Sequence, residues 1–212
     1  MPTPLFIATL RFDSSDGERW NEYIRWAKIP ALVEVVSLDM MLCPRVVLSI
    51  EEEDWQHIVR EDFRLKYFYH LDYLQKRAEG TQRKNILGLY RNPDTHITSA
   101  PAPGDFGFVG YDLIEEETQI SVLTNCGGFP GVFKNEELNQ FGLLQSFDRA
   151  AEVQCLLADR YPGEPHAQCE MYALWRMGEG GHGSARHASL DSSPTTMPIP
   201  SGLFGVQSLT NS

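Results

Sequence analysis

The composition of the chain changes abruptly at Gly178, and this change limits how much of it can fold. Residues 178–212 contain 19 Gly, Ser, Thr and Pro among 35 residues, and only three charged residues. Such a segment offers too little apolar surface to offset the entropy lost on ordering. We therefore predict one folded domain over residues 1–177 and a flexible, low-complexity tail over residues 178–212.

Apolar residues in the first 177 positions follow helical spacing in some segments and strand spacing in others. Ser15 and Glu18 have the spacing of a capping box, which predicts the start of a helix that Pro30 ends. Ser146 is a suitable N-cap for another helix, to about Tyr161. Alternation or β-branched runs predict strands at Pro4–Phe12, Ala31–Leu42, Asn85–Arg91, Phe106–Ile114, Gln119–Asn125 and Gln168–Met177.

The longest predicted helix runs from Glu51 to Glu79, a stretch that contains neither Gly nor Pro. Its apolar residues recur with helical spacing, and acidic residues occupy the first turn, where they complement the helix dipole. We expect one buried face that contains Trp55, Phe63, Tyr67 and Leu74. With this helix the order of elements predicts an α+β fold, which has a mixed or antiparallel sheet and about three helices, one of them long.

The clearest compositional bias is a net charge of -11. Nucleic acid is a polyanion that binds clustered Lys and Arg, so a nucleic-acid partner is not predicted. The charge favours a basic protein partner instead, which it would attract over a distance. We therefore predict a non-enzymatic acidic binding protein, such as an inhibitor or an immunity or antitoxin-like protein. The acidic segments predicted to contact the partner are Glu51, Glu52, Glu53 and Asp54, and Glu115, Glu116 and Glu117.

Both acidic segments also have a simpler structural interpretation. Glu51–Asp54 lie where a helix is predicted to begin, and Glu115–Glu117 lie between two predicted strands, at the exposed tip of a hairpin. A high net charge by itself also serves solubility. The charge pattern therefore favours a binding function without requiring one.

Cys126 ends a predicted strand and precedes Gly127 and Gly128. A tight turn there would present the thiol beside backbone N–H groups, an arrangement that enzymes use to stabilise an oxyanion. Pro130 excludes the helix that follows a nucleophile elbow, and a reactive thiol also needs a base, for which His166 is the candidate. The alternative function is therefore a small hydrolase or transferase that uses Cys126 and His166. In the simpler interpretation the glycines turn the chain and Cys126 packs as a small apolar residue.

Metal and nucleotide motifs are weak or missing. His166 and Cys169 have a spacing compatible with two zinc ligands, and Cys43 and Cys126 would complete a tetrahedral set. The closely paired cysteines typical of zinc ribbons and fingers do not occur. Neither a phosphate-binding loop nor a dinucleotide-binding motif is present. We predict no metal and no other cofactor.

Asp39 and Asp112 each interrupt an apolar run inside a predicted strand. Burial of an aspartate is costly unless the carboxylate is paired or hydrogen-bonded. Each is therefore expected either to act as an acid or base, or to bind the backbone of a neighbouring loop. The second role is the commoner one.

Targeting signals are not found in the sequence. The N-terminal region lacks a basic segment, and its apolar run breaks at Arg11, so a strand is predicted rather than a signal peptide. No stretch approaches the roughly 18 apolar residues that a membrane span needs. The cysteines form no C-x-x-C pair and are predicted to be free thiols. We therefore expect a soluble, cytoplasmic protein.

Overall fold

The computed structural model describes residues 3–59 and 66–178. Phe63 and the predicted tail from residue 179 onward lie outside the described residues. The helices and strands, in chain order, are β1 (Leu5–Leu10), β2 (Phe12–Asp13), α1 (Glu18–Ala27), β3 (Glu34–Val35), α2 (Leu71–Arg77), β4 (Lys84–Arg91), β5 (Phe106–Glu115), α3 (Phe147–Arg160) and β6 (Cys169–Met177). Strands β1, β4, β6 and β5 form, in that order, an antiparallel sheet, and β2 pairs with β3 in a second one. The α+β prediction is confirmed.

The main sheet is covered on both faces, and β6 at its centre contributes to both. Met171, Ala173 and Trp175 pack in an apolar cluster that includes Ala150, Val153 and Leu157 of α3. The alternate residues Tyr172 and Leu174 pack in a second cluster with Val36, Leu38 and Tyr67. Alternate residues of β6 pack in different clusters because successive side chains of a strand point to opposite faces of the sheet.

Helices α1 and α3 lie where the sequence predicts helices, but the cap before α1 differs from the prediction. Asp13, not Ser15, forms the capping box: its Oδ1 accepts from Ser15 N at 2.8 Å, and its own N–H donates to Asp16 Oδ2 at 3.0 Å. This box closes a 3-10 turn over Ser14–Asp16, which precedes α1. The predicted N-cap of α3 is confirmed, since Ser146 Oγ accepts from Arg149 N at 3.4 Å.

The predicted helix over Glu51–Glu79 is wrong. A 3-10 helix occupies Glu52–Gln56, and the only α-helix among the described residues of this stretch is α2. Between them Phe68 exchanges two backbone hydrogen bonds, each 2.8 Å long, with Phe6 of β1. This pairing holds Phe68 in an extended backbone, so tertiary contacts override the local helical spacing. No helix in the described part of the chain is long and apolar enough to cross a membrane.

The predicted inner face of that helix is only partly buried. Tyr67 and Leu74 are buried, whereas Trp55 is 44% exposed. The helical spacing of these apolar residues thus does not correspond to one shared face.

Two predicted strands are largely loops held by buried carboxylates. Of Ala31–Leu42 only β3 is a strand, and Gln119–Asn125 contributes a single bridge, from Ser121 to Ile114. Asp39 accepts hydrogen bonds from the amides of both loops, including Met41 N at 2.7 Å and Ser121 N at 2.8 Å. Asp112 accepts from Ser37 Oγ at 2.6 Å and Ser121 Oγ at 2.7 Å. Both aspartates therefore bind loop segments, the commoner of the two expected roles.

Loop segments cover the outer edges of the main sheet. At the β1 edge, Leu10 N donates to Pro44 O, Val46 N donates to Ala8 O, and Phe68 pairs with Phe6. At the β5 edge, Tyr111 and Leu144 exchange two backbone bonds, and Val122 N donates to Leu113 O. Edge strands leave unpaired backbone groups unless something covers them. At these positions the edge groups have their partners within the chain.

Candidate functional site

Cys126 and His166 meet at one carboxylate, that of Glu115 at the end of β5. Cys126 Sγ donates to Glu115 Oε1 at 3.5 Å. His166 Nδ1 lies 3.7 Å from the same oxygen, in the 3-10 turn that precedes β6. No hydrogen bond within the described residues joins the thiol to the imidazole. The fold therefore brings both residues to one carboxylate, which contacts each of them.

The surroundings of Cys126 stabilise the neutral thiol. Burial, followed by the neighbouring Glu115 carboxylate, raises the pKa of Cys126 to about 12. Burial also raises the pKa of Cys169 to about 12. A nucleophilic cysteine needs a thiolate, which positive groups favour and carboxylates oppose. The cluster therefore opposes the charge state that a thiol enzyme requires.

The imidazole of His166 is held by aromatic packing. Its ring centroid lies 4.5 Å from that of Phe129 and 5.1 Å from that of Tyr161. Its Nε2 atom is buried and has no hydrogen-bond partner among the described residues. Among the described residues, neither ring nitrogen forms a hydrogen bond with the Cys126 thiol.

The weak zinc candidates do not form a metal centre in the described part of the chain. Cys43 is buried, and its thiol donates to Val35 O at 3.3 Å. Within residues 3–59 and 66–178, no group of three or more His, Cys, Asp and Glu side chains is arranged to hold a metal ion. Cys43, Cys126, His166 and Cys169 therefore do not come together as the four ligands of one site.

The first acidic segment is a short turn anchored by Asp54. The side chain of Asp54 is fully buried and accepts hydrogen bonds from Tyr73 Oη at 2.8 Å and Arg77 Nε at 2.9 Å. Its Oδ2 also accepts from Glu51 N at 2.7 Å. Arg77 Nη1 binds the Glu51 carboxylate at 2.9 Å. Glu52 and Glu53 are exposed on this fixed turn.

The pKa of Asp54 reflects these contacts. Burial raises the pKa, but the hydrogen bonds from Glu51 N, Tyr73 and Arg77 outweigh burial and hold it below the ordinary value of 3.8. The ionised carboxylate is therefore the form that the fold stabilises.

Trp55 follows Asp54 directly and is 44% exposed, so a large apolar side chain adjoins the exposed glutamates. We call Glu51, Glu52, Glu53 and Trp55 the acidic turn surface. The charges of this surface are evident in the sequence, but the helical spacing of the segment predicted Trp55 to lie in the core. The 3-10 geometry turns this side chain outward instead.

The second acidic segment is only partly available to a partner. Glu115 is buried, where it accepts from Cys126 and from Thr118 Oγ1, whereas Glu116 and Glu117 are exposed. Glu115 is therefore not part of an exposed hairpin tip, and the prediction that it contacts a partner is corrected. Asp54 is excluded for the same reason. The predicted binding residues that remain on the surface are Glu51, Glu52, Glu53, Glu116 and Glu117.

A pocket of about 350 Å³ lies beside the Gly127 and Gly128 turn. Lys28 and Lys134 line it, together with Phe129. The sequence indicated the glycines as site residues but not the lysines. The two lysines are far apart in the chain and carry no motif, so only the fold brings them together.

No protein-family model matches the chain, and no curated protein or solved structure gives a significant match.

Proposed function

We propose that the chain is a non-enzymatic binding protein whose acidic turn surface contacts a basic protein partner. The observation that carries this proposal is an exposed tryptophan, Trp55, on the same short turn as three exposed glutamates, a turn held by the contact of the buried Asp54 with Arg77. An inhibitor, or an immunity or antitoxin-like protein, would present such a surface to a basic target.

The proposal follows from how interfaces gain affinity. Tryptophan is enriched among the few residues that dominate binding energy, and its burial against a partner removes a large apolar area from water. The turn is already fixed by Asp54 and Arg77, so less conformational entropy is lost on association. The glutamates around Trp55 would form a charged rim that orients a basic partner.

The charge of the whole chain supports a basic partner. A net charge of -11 attracts positively charged surfaces, and repels nucleic acid. The cysteines Cys43, Cys126, Cys155 and Cys169 are free, as a reducing compartment would keep them. A cytoplasmic location is therefore part of the proposal.

The second candidate function, a cysteine-dependent hydrolase or transferase, is favoured by one observation. Cys126 and His166 both approach Glu115. Catalysis would require His166 to reach the thiol directly and the Glu115 carboxylate to move away from it, so that a thiolate could form. The raised pKa of Cys126 makes the binding function the better supported of the two.

Capture of the partner from a cell lysate tests the proposal with variants of matched charge. Reversal of Glu52 and Glu53 to Lys should abolish capture of the partner by the immobilised protein. The same double reversal at Glu116 and Glu117 changes the net charge equally and should retain it. Trp55→Ala should weaken binding of the captured partner by about 2 kcal/mol, whereas Cys126→Ala should have no effect.

The salt dependence of association provides the second measurement. With the captured partner, the association rate constant should fall about tenfold or more between low and high salt, because salt screens the steering charges. If the Glu52, Glu53 reversal and the Glu116, Glu117 reversal reduced binding of the partner equally, the attraction would be nonspecific. Retention of binding by both Trp55→Ala and the Glu52, Glu53 reversal would refute the proposed surface, and a loss confined to Cys126→Ala would favour the enzyme.

A further inference from the structure

We propose that the pocket beside Gly127 and Gly128 binds a phosphate group carried on a small organic molecule. Its volume of about 350 Å³ suits a small ligand. The proposal concerns a different set of residues from the acidic turn surface and does not depend on the proposed partner.

Backbone donors form one side of this site. The φ angles of Gly127 and Gly128 are 74° and 87°, in the region that favours glycine. Within the described part of the chain, no acceptor takes the N–H groups of Gly127, Gly128 or Phe129. Backbone N–H groups are strong donors that need a partner. These three are left for solvent or for an anion, and successive backbone amides are a common means of binding phosphate.

Two lysines supply positive charge to the same pocket. Lys28 is the C-cap of α1, and Lys134 precedes the 3-10 helix Asn135–Glu137. Neither ammonium group has a carboxylate within salt-bridge distance among the described residues. Lysine binds phosphate as a point charge. Both lysines are exposed, and they line the same pocket of a chain whose net charge is -11.

A side-chain hydrogen bond holds the two lysine-bearing segments together. Asn135 Nδ2 donates to Ala27 O, at the end of α1, at 2.7 Å. Asn135 directly follows Lys134, and Ala27 directly precedes Lys28. The bond therefore fixes the backbone positions of both lysines before any ligand arrives, which lowers the entropic cost of binding.

The remaining walls of the pocket define the rest of the ligand. Phe129, Pro130 and Phe133 line it with apolar surface, which fits an aromatic or aliphatic group attached to the phosphate. Glu136 also lines the pocket and is exposed. The negative charge of Glu136 repels an anion. Glu136 should therefore lower the affinity of the pocket for the phosphate ligand, and removal of its charge should raise that affinity.

A ¹⁵N NMR titration of the full chain tests the proposal with three probes. Phenyl phosphate should produce saturable shifts of the Gly127 and Gly128 amides, with higher affinity than inorganic phosphate. Phenol should produce none. An equal response to phenol would overturn the role of the phosphate, and equal affinities for the two phosphates would overturn the role of the apolar wall. Shifts spread over lysines across the whole surface would indicate nonspecific anion binding and would also overturn it.

Variants in which a charged side chain is replaced by a neutral one give a second, independent test. The double variant Lys28→Gln and Lys134→Gln should bind phenyl phosphate at least about tenfold more weakly, because two charge-assisted contacts are lost. Glu136→Gln should bind more tightly than the unaltered chain. Lys76→Gln, an exposed change on α2, is the matched control and should bind as before. Unchanged affinity in the double variant, with an unchanged thermal midpoint, would refute the site.

Discussion

Asp54 and its neighbours illustrate how four acidic residues in a row acquire different environments. Glu52 and Glu53 face solvent, while Asp54 is buried against Tyr73 and Arg77. The sequence shows the charge of these four residues but not which of them is buried. The partner of Asp54 lies 23 residues further along the chain, and only the reversal of the chain between them brings Arg77 back.

Replacement of Asp54 by Asn should lower the free energy of unfolding by about 3 kcal/mol at pH 7, because it leaves Arg77 without its buried partner. The pKa of Asp54 is below its ordinary value of 3.8, so its contribution is fully present above that value. The contribution is lost as the pH falls through the lower folded-state pKa. Urea unfolding between pH 7 and pH 3 should therefore show that the difference in unfolding free energy between Asp54→Asn and the unaltered protein becomes smaller in acid. Glu52→Gln is the exposed control, and a difference that stays constant with pH would contradict this assignment.

At the candidate enzyme site, Cys126 and His166 also have surroundings that the sequence does not show. The sequence indicated that both lie at element ends, and the fold does bring them to one cluster. It could not indicate that Glu115 would lie between them, since a carboxylate between two predicted strands is normally exposed. A pattern of residue types predicts proximity more readily than it predicts protonation.

At the scale of elements, strands and capped helices were predictable, and segments fixed by distant partners were not. Strands β1, β4, β5 and β6 have apolar runs bounded by turn residues, and Ser146 caps α3 as predicted. The Glu51–Glu79 stretch failed because Phe68 pairs with Phe6, a contact that local spacing does not encode. Similarly, Gln119–Asn125 is held by Asp39 rather than by a strand partner along its length.

Strand β4 supports a prediction about how the loop between β4 and β5 packs. A Cβ atom on Gly88 would lie 2.2 Å from Pro101 Cγ, so Gly88→Ala should displace this loop and cost about 1–3 kcal/mol of unfolding free energy. Gly107 in β5 has open space around its Cα, so Gly107→Ala should change stability by less than about 1 kcal/mol. Chemical denaturation of both variants provides the comparison. Equal effects would show that Pro101 does not lie against β4.

For the molecule as a whole, the predicted boundary near residue 178 can be tested by truncation. Strand β6 ends at Met177, and Gly178 N donates to Asp105 O at 2.7 Å. Because the composition beyond Gly178 provides little apolar surface, removal of residues 179–212 should shift the thermal midpoint by no more than about 2 °C. A differential scanning measurement on the full and truncated chains decides this. A fall of many degrees would show that the removed residues stabilise the domain.

The covered edges of the main sheet restrict how this protein can recognise another chain. A partner peptide often binds by adding itself as an extra strand, using the backbone of an exposed edge. Here Phe6, Ala8 and Leu10 on one side, and Tyr111 and Leu113 on the other, already bond to loops of the same chain. Recognition by strand addition would first require those loops to detach from the edge strands. For the proposed partner we therefore expect contacts through side chains, and at these described positions the sheet offers no open edge on which two copies could begin growing into a fibril.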